Sequence, residues 1–219
     1  MKISRFLTAA VLACACISGA RAQENPHGIP DSVFYLLPSF SDGTVYFVSR
    51  PPAQGRLNIC AVDQSLRFMD RGVELEATGI DDVQKVVIDT VTFLRRDGAF
   101  YRLYPAGPGM QIALLREVRI IRGEKKGAYG TVSQTSSSKE YSTLYTEGAA
   151  IKLKDGETVP YNLTETFFIY RGNTLYPVNK RGFRRLFPDR KAEVDALFQP
   201  GKSAPDSVGA VRKLLDALK

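Results

Sequence analysis

The chain has 219 residues, of which 44% are hydrophobic and 24% charged, with a formal net charge of +7, 3 cysteines, one histidine and no tryptophan. That length and apolar content support one packed domain with an appendage and exclude a wholly disordered chain. The charge is uneven: 10 basic and 5 acidic residues fall in 176–219. The basic character therefore belongs to the C-terminal end, and a cationic binder acting through its whole surface is excluded.

Residues 1–22 have the order of a secretory signal peptide, with Lys2 and Arg5 before an apolar run from Phe6 to Ile17 and a small-x-small site at Ala20-Arg21-Ala22. The run is too short for a retained spanning helix of about 20 residues. Cleavage after Ala22 is expected, giving a periplasmic or secreted protein. The competing reading takes Val11-Leu12-Ala13-Cys14 as a lipobox and makes the protein an outer-membrane lipoprotein acylated at Cys14. Cleavage at Ala22 removes Cys14 and Cys16, so Cys60 remains alone and no internal disulfide is expected despite export. It also removes Lys2, Arg5 and Arg21, leaving the body between the signal and residue 176 nearly neutral.

Residues 23–43 read as an N-terminal extension. His27, set between Pro26 and Gly28 near its start, is poorly placed for a precisely held catalytic base.

Residues 44–178 read as the β-rich body. Short runs rich in Val, Ile, Thr, Tyr and Phe alternate with Asp, Gly and Asn, the pattern of meandering antiparallel strands. The expected strands are 44–49, 57–62, 66–69, 73–77, a long run 83–94, then 99–104, 111–121, 149–153, 158–163, 167–170 and 174–178. Asp70-Arg71-Gly72, Asp97-Gly98, Asp155-Gly156 and Gly172-Asn173 supply tight turns. This predicts a mainly β fold, an antiparallel sandwich or partly closed barrel, with a short C-terminal helical tail. Cys60, in the strand-like run 57–62 with no His, Lys or Arg beside it, reads as a buried structural thiol. Glu74 and Glu76 share one face of their strand and read as its wet side, and Asp81-Asp82 reads as a turn or helix cap.

Two segments depart from the meander. Residues 130–147 are dominated by Ser and Thr and read as a loop, in which Tyr141 and Tyr145, with Tyr129 just before, are candidate contact residues for a glycan or protein partner. Residues 179–219 switch to helical spacing: a stripe of Phe183, Leu186 and Phe187, a helix from Pro188 to about Phe198, and a last helix burying Val208, Val211, Leu214, Leu215 and Leu218. Lys180, Arg181, Arg184, Arg185, Arg190 and Lys191 cluster here as candidates for an anionic partner. In an exported protein that partner is a lipid head group, a lipopolysaccharide phosphate or an acidic glycan. Another envelope protein is also open, and nucleic acid is not expected because no readout motif is present.

Gly127-Ala128-Tyr129-Gly130 with its Ser/Thr stretch, then Tyr176-Pro177-Val178-Asn179-Lys180-Arg181 and Phe187-Pro188-Asp189-Arg190-Lys191-Ala192-Glu193, resembles a group of secreted β-rich proteins of the Bacteroidetes phylum. The resemblance implies export, a β-body and a basic helical tail; it brings no activity and no catalytic residue. It implies an asparagine at the position of Cys60. The triplets Asp31-Ser32-Val33, Asp89-Thr90-Val91 and Asp206-Ser207-Val208 are similar to an O-glycosylation acceptor used in that phylum; Thr90 falls inside a strand run, which makes Ser32 and Ser207 the candidate modification sites.

No nucleophile triad, phosphate loop, metal cluster or cofactor motif is legible. The sequence points to a non-catalytic envelope or periplasmic binding protein with no cofactor. The alternative is a hydrolase, for example on glycans, that uses carboxylates from separate strands.

Overall fold

The computed structural model describes residues 19–21, 29–121, 160–199 and 204–218. The strand expected at 149–153, the Ser/Thr stretch 130–147, Tyr129, Tyr141, Tyr145 and His27 lie outside the described residues. A three-residue strand β1 (Gly19–Arg21) and a one-turn helix α1 (Asp31–Phe34) come first. The body follows as β2 (Ser41–Phe47), β3 (Ala53–Ile59), β4 (Leu66–Asp70), β5 (Val73–Ala77), β6 (Val83–Ile88), β7 (Val91–Arg96), β8 (Ala99–Gly107), β9 (Met110–Ile120), β10 (Tyr161–Arg171) and β11 (Thr174–Pro177).

All are antiparallel in one sheet ordered β1-β5-β4-β3-β2-β6-β7-β8-β9-β10-β11, so two meanders meet where β2 pairs with β6. The mainly β antiparallel architecture with short C-terminal helices is the one expected, and its form is an open sheet whose two edges do not pair. Three turns follow their sequences: Arg71-Gly72, Asp97-Gly98 and Gly172-Asn173 have positive φ at both central residues, which suits the right-handed twist of a two-residue hairpin. The run 83–94 differs from expectation. It breaks into β6 and β7 at Asp89-Thr90, where Asp89 takes φ +51°. The expected strands 158–163 and 167–170 merge into the single 11-residue β10, paired along its whole length with β9.

The sheet rolls until the β3–β4 connection touches β8 and β9. Val118 N–H donates to Ala61 O at 3.0 Å. The Gln64 side chain donates to Arg116 O at 2.9 Å and accepts from Phe100 N–H at 3.0 Å. Rolling encloses one apolar cluster, with Val45, Leu57, Ile59, Leu66, Val86, Ile88, Phe93 and Phe100 at its centre. Fully burying side chains of this size stabilises by roughly 1.5–3 kcal/mol each.

A second core lies between β8–β10 and the tail. Helix α2 (Lys180–Leu186) starts at Asn179, whose Oδ1 accepts from Gly182 N–H at 2.8 Å. A 3-10 turn at Pro188–Arg190 leads into α3 (Lys191–Leu197), and α4 (Val208–Asp216) begins at Ser207, whose Oγ accepts from Ala210 N–H at 3.2 Å. The expected helix from Pro188 thus opens with a 3-10 turn. Phe183, Leu186, Val194, Val211, Leu215 and Leu218 pack on Ile112, Leu114, Phe167 and Ile169. Helices this short are marginal alone, and this burial is what holds them.

Residues 29–40, read from sequence as part of an extension, form a strap that contributes to the core. Ile29, Phe34 and Tyr35 are buried with Cys60 and Ile120, and β2 begins at Ser41, inside the expected extension.

Candidate functional site

The strap crosses a polar face of the sheet. Register sets Asn58 opposite Arg67 and Arg67 opposite Glu76, with Arg56, Met69 and Glu74 in the next row across β3, β4 and β5. Residues paired across antiparallel strands share a face, so alternation alone gathers these polar side chains. Leu37 N–H donates to Asn58 Oδ1 at 3.2 Å, and Asn58 Nδ2 donates to Leu37 O at 3.0 Å. Arg56 Nη2 donates to Phe40 O at 3.2 Å, and Tyr35 donates its hydroxyl proton to Glu74 Oε2 at 2.7 Å. Together these bonds tie the strap to two rows of β3 and to β5.

Arg67 is the centre of this face, with its side chain only 1% exposed. Its Nη2 lies 2.5 Å from Asp63 Oδ2 and 3.5 Å from Glu76 Oε2, and its Nε donates to Ser65 Oγ at 2.6 Å. Ser65 in turn donates to Asp63 Oδ1 at 2.6 Å. Burial pulls the guanidinium down, but the charges of Asp63, Cys60 and Glu76 together outweigh it and hold Arg67 above its usual value. Burial, then the bonded Glu74 carboxylate, push the Tyr35 phenol up. Burial, followed by the Asp63 charge, pushes the Cys60 thiol up to about 12.

These shifts decide what the cluster can do. A thiol that ionises only near pH 12 is a packing group rather than a nucleophile, as expected for Cys60. Arg67 does stand near it in space, but burial outweighs that charge. Glu74 and Glu76 share a face as expected; Glu74, however, is partly buried beneath the strap and bonded to Tyr35, so it is not simply on the wet side. Sequence reading missed Tyr35, Asp63 and Arg67. The one local signal was an arginine at an inward position of the strand run Leu66–Asp70. Both carboxylates are held in structural pairings, and the arrangement fastens the strap.

The six tail cations divide into two sets. Arg184 and Lys180 both contact Asp195, the latter at 3.4 Å, and Arg190 Nε donates to Glu193 at 3.1 Å. Asp195 holds the Arg184 guanidinium above its usual value, and Arg184 holds the Asp195 carboxyl below its own. Arg181, Arg185 and Lys191 are exposed and form no ion pair among the described residues; the Arg185 guanidinium lies 6.0 Å from the Tyr176 ring centroid. Lys191 stands on α3, apart from the four cations of α2.

Ser32 is exposed on α1, and Ser207 is exposed while its Oγ caps α4. Asp82 sits in a turn, where Arg50 Nη2 donates to it at 2.9 Å and Ser49 Oγ at 3.0 Å. A depression of about 360 Å³ between the β8–β9 and β10–β11 turns is lined by Met110, Gln111, Tyr170 and Arg171 among others, and no carboxylate is among its lining residues. Among the described residues no group of His, Cys, Asp and Glu could hold a metal ion, and no helix is long and apolar enough to cross a membrane. Comparison with family models, curated proteins and solved structures found no match.

Proposed function

We propose that this chain is an exported, non-catalytic binding protein of the cell envelope that engages an anionic surface component through its C-terminal helices. The supporting observation is the division of the tail cations. Asp195 and Glu193 occupy Lys180, Arg184 and Arg190, which leaves Arg181, Arg185 and Lys191 without an ion pair among the described residues. Phe183 and Leu186 anchor α2 on the sheet, so these cations are carried by a docked helical surface rather than a loose tail. The signal-like residues 1–22 and the resemblance to secreted Bacteroidetes proteins support export, and lipid phosphates, lipopolysaccharide phosphates and acidic glycans are then the available anions.

A cation near an anionic lipid surface contributes about 1 kcal/mol, so three give roughly a 100-fold effect on binding at moderate salt. Cosedimentation with phosphatidylglycerol vesicles, lipopolysaccharide and polygalacturonate compares the full chain with the Arg181→Gln, Arg185→Gln, Lys191→Gln triple variant. The parent is expected to bind at least one of them in a salt-sensitive way and the triple variant to lose most of that binding. Equal binding by both proteins sinks the proposal.

A further inference from the structure

The sheet has two edges, and the fold treats them differently. The β11 edge is only four residues long, ends in Pro177 and is covered by α2, whose Gly182 packs directly on the Pro177 carbonyl. Short length, proline and a covering helix are the usual ways of blocking an edge. The opposite edge, β5, is the five-residue run Val73-Glu74-Leu75-Glu76-Ala77, without proline or helix, and among the described residues only Gly19–Arg21 pairs with its outer side.

The hairpin geometry shows which groups that edge offers. Arg71-Gly72 is a two-residue turn, so the flanking pair Asp70 and Val73 is hydrogen-bonded, and bonding recurs at Phe68 and Leu75. The backbone N–H and C=O of Glu74 and Glu76 therefore point away from β4, and Ala20 lies opposite Glu76. Three residues make a short and replaceable ladder.

We infer, building on the proposed export, that the outer edge of β5 is a strand-docking edge, held by Gly19–Arg21 in the uncleaved chain and opened when cleavage after Ala22 removes them, to take an extended segment with small or cationic side chains opposite Glu74 and Glu76 and apolar ones opposite Val73 and Leu75. Charge selects this occupant. Glu76 is 41% exposed at its side chain, and its ion pair to Arg67 is long, at 3.5 Å. Val73 is 49% exposed, and the face it shares with Leu75 continues to Phe68 and Ala77 at the border of the rolled core. A second copy of the chain fits badly. Antiparallel pairing of β5 with itself through its outward backbone groups sets glutamate against glutamate in every register that overlaps three or more residues, and like charges directly opposite are destabilising. Main-chain bonds would supply affinity and the alternate side chains selectivity, as in other strand additions.

Amide hydrogen exchange on the full chain tests this, with Ala20→Pro as the variant that removes the N–H facing Glu76. Protection of the Glu76 amide is expected to fall at least 10-fold in the variant. The Val73 and Leu75 amides, bonded to β4, keep theirs, which shows that the sheet is intact. An acetylated Val-Lys-Val-Lys-Val-Lys-Val amide then restores protection at Glu74 and Glu76 and binds at least 10-fold tighter than the peptide with Glu for Lys. Unchanged Glu76 exchange in the variant, equal binding of the two peptides, or dimerisation of the variant through this edge would each overturn the inference.

Discussion

Tyr35 donates its hydroxyl proton to Glu74 Oε2 at 2.7 Å, joining residues 39 positions apart and fixing the strap to the β5 strand. Glu74 Oε1 is buried with no hydrogen-bond partner among the described residues, so Tyr35 carries the polar satisfaction of this carboxylate. Leaving a buried acceptor without its donor costs about 1–3 kcal/mol, more when it is charged. Tyr35→Phe is therefore expected to destabilise by at least about 1 kcal/mol, read as a lower urea midpoint at unchanged slope. Glu74→Gln keeps an acceptor for the phenol and should cost less. Equal losses from the two changes would show that packing, not the bond, holds the strap.

The Cys60 thiol gives a pH signature. Its value is raised from 9.0 to about 12 in the folded chain, so above pH 9 the unfolded state loses a proton that the folded state keeps. Stability from this group is complete below pH 9 and declines as pH rises toward 12. Linkage gives a loss of about 1 kcal/mol between pH 9 and pH 10. Cys60→Ala should lack this component, which isolates the thiol from the Tyr35 phenol that contributes at higher pH. Denaturant titrations of both proteins at pH 8, 9 and 10 read the difference; parallel pH profiles would contradict the assignment. A thiol reagent should label native Cys60 only on the timescale of unfolding.

The local devices of this fold were legible and the long-range ones were not. Arg71-Gly72, Asp97-Gly98 and Gly172-Asn173 announce hairpins because few residues accept positive φ. Asp89-Thr90 went unseen, since a β-branched Thr inside a Val and Ile run looks like strand even when Asp89 takes the left-handed position. The helical stripe of Phe183 and Leu186 was readable from spacing. The strap was not, because Asn58, Arg56 and Glu74 bind residues between 16 and 39 positions away. The tail cations were all visible, while their division into paired and unpaired sets depended on how α3 carries Asp195 back to α2.

Gln64 is a second such device. It holds φ +55°, an unusual setting for a residue with a side chain, while it bridges Arg116 O and Phe100 N–H and so fastens the rolled sheet. Gln64→Ala leaves both backbone groups without that partner, and a loss of about 1–3 kcal/mol is expected. Gln64→Gly loses the same bonds but relieves the left-handed backbone, so it should be the milder change despite its extra chain entropy. Thermal denaturation ranks the three proteins. A glycine variant less stable than the alanine variant would mean that the backbone setting carries no strain.

Gly182 tests the docking of the tail. A Cβ at this position of α2 would fall within the Pro177 carbonyl, a backbone atom that cannot rotate aside, so Gly182→Ala must push α2 off β11. Overpacking of this kind costs typically 1–3 kcal/mol. Gly209, in α4, supplies the control: nothing lies within 4 Å of its added Cβ, and Gly209→Ala should be neutral or stabilise by up to about 1 kcal/mol. Phe183 and Leu186 sit in the same apolar cluster as Ile112 and Phe167, so lifting α2 exposes ring surface as well as the helix. Gly182→Ala should therefore lower the denaturation midpoint and raise binding of a hydrophobic dye, with the Gly209 variant unchanged in dye binding. A Gly182→Ala protein as stable as its parent would show that α2 does not rest on the β11 backbone.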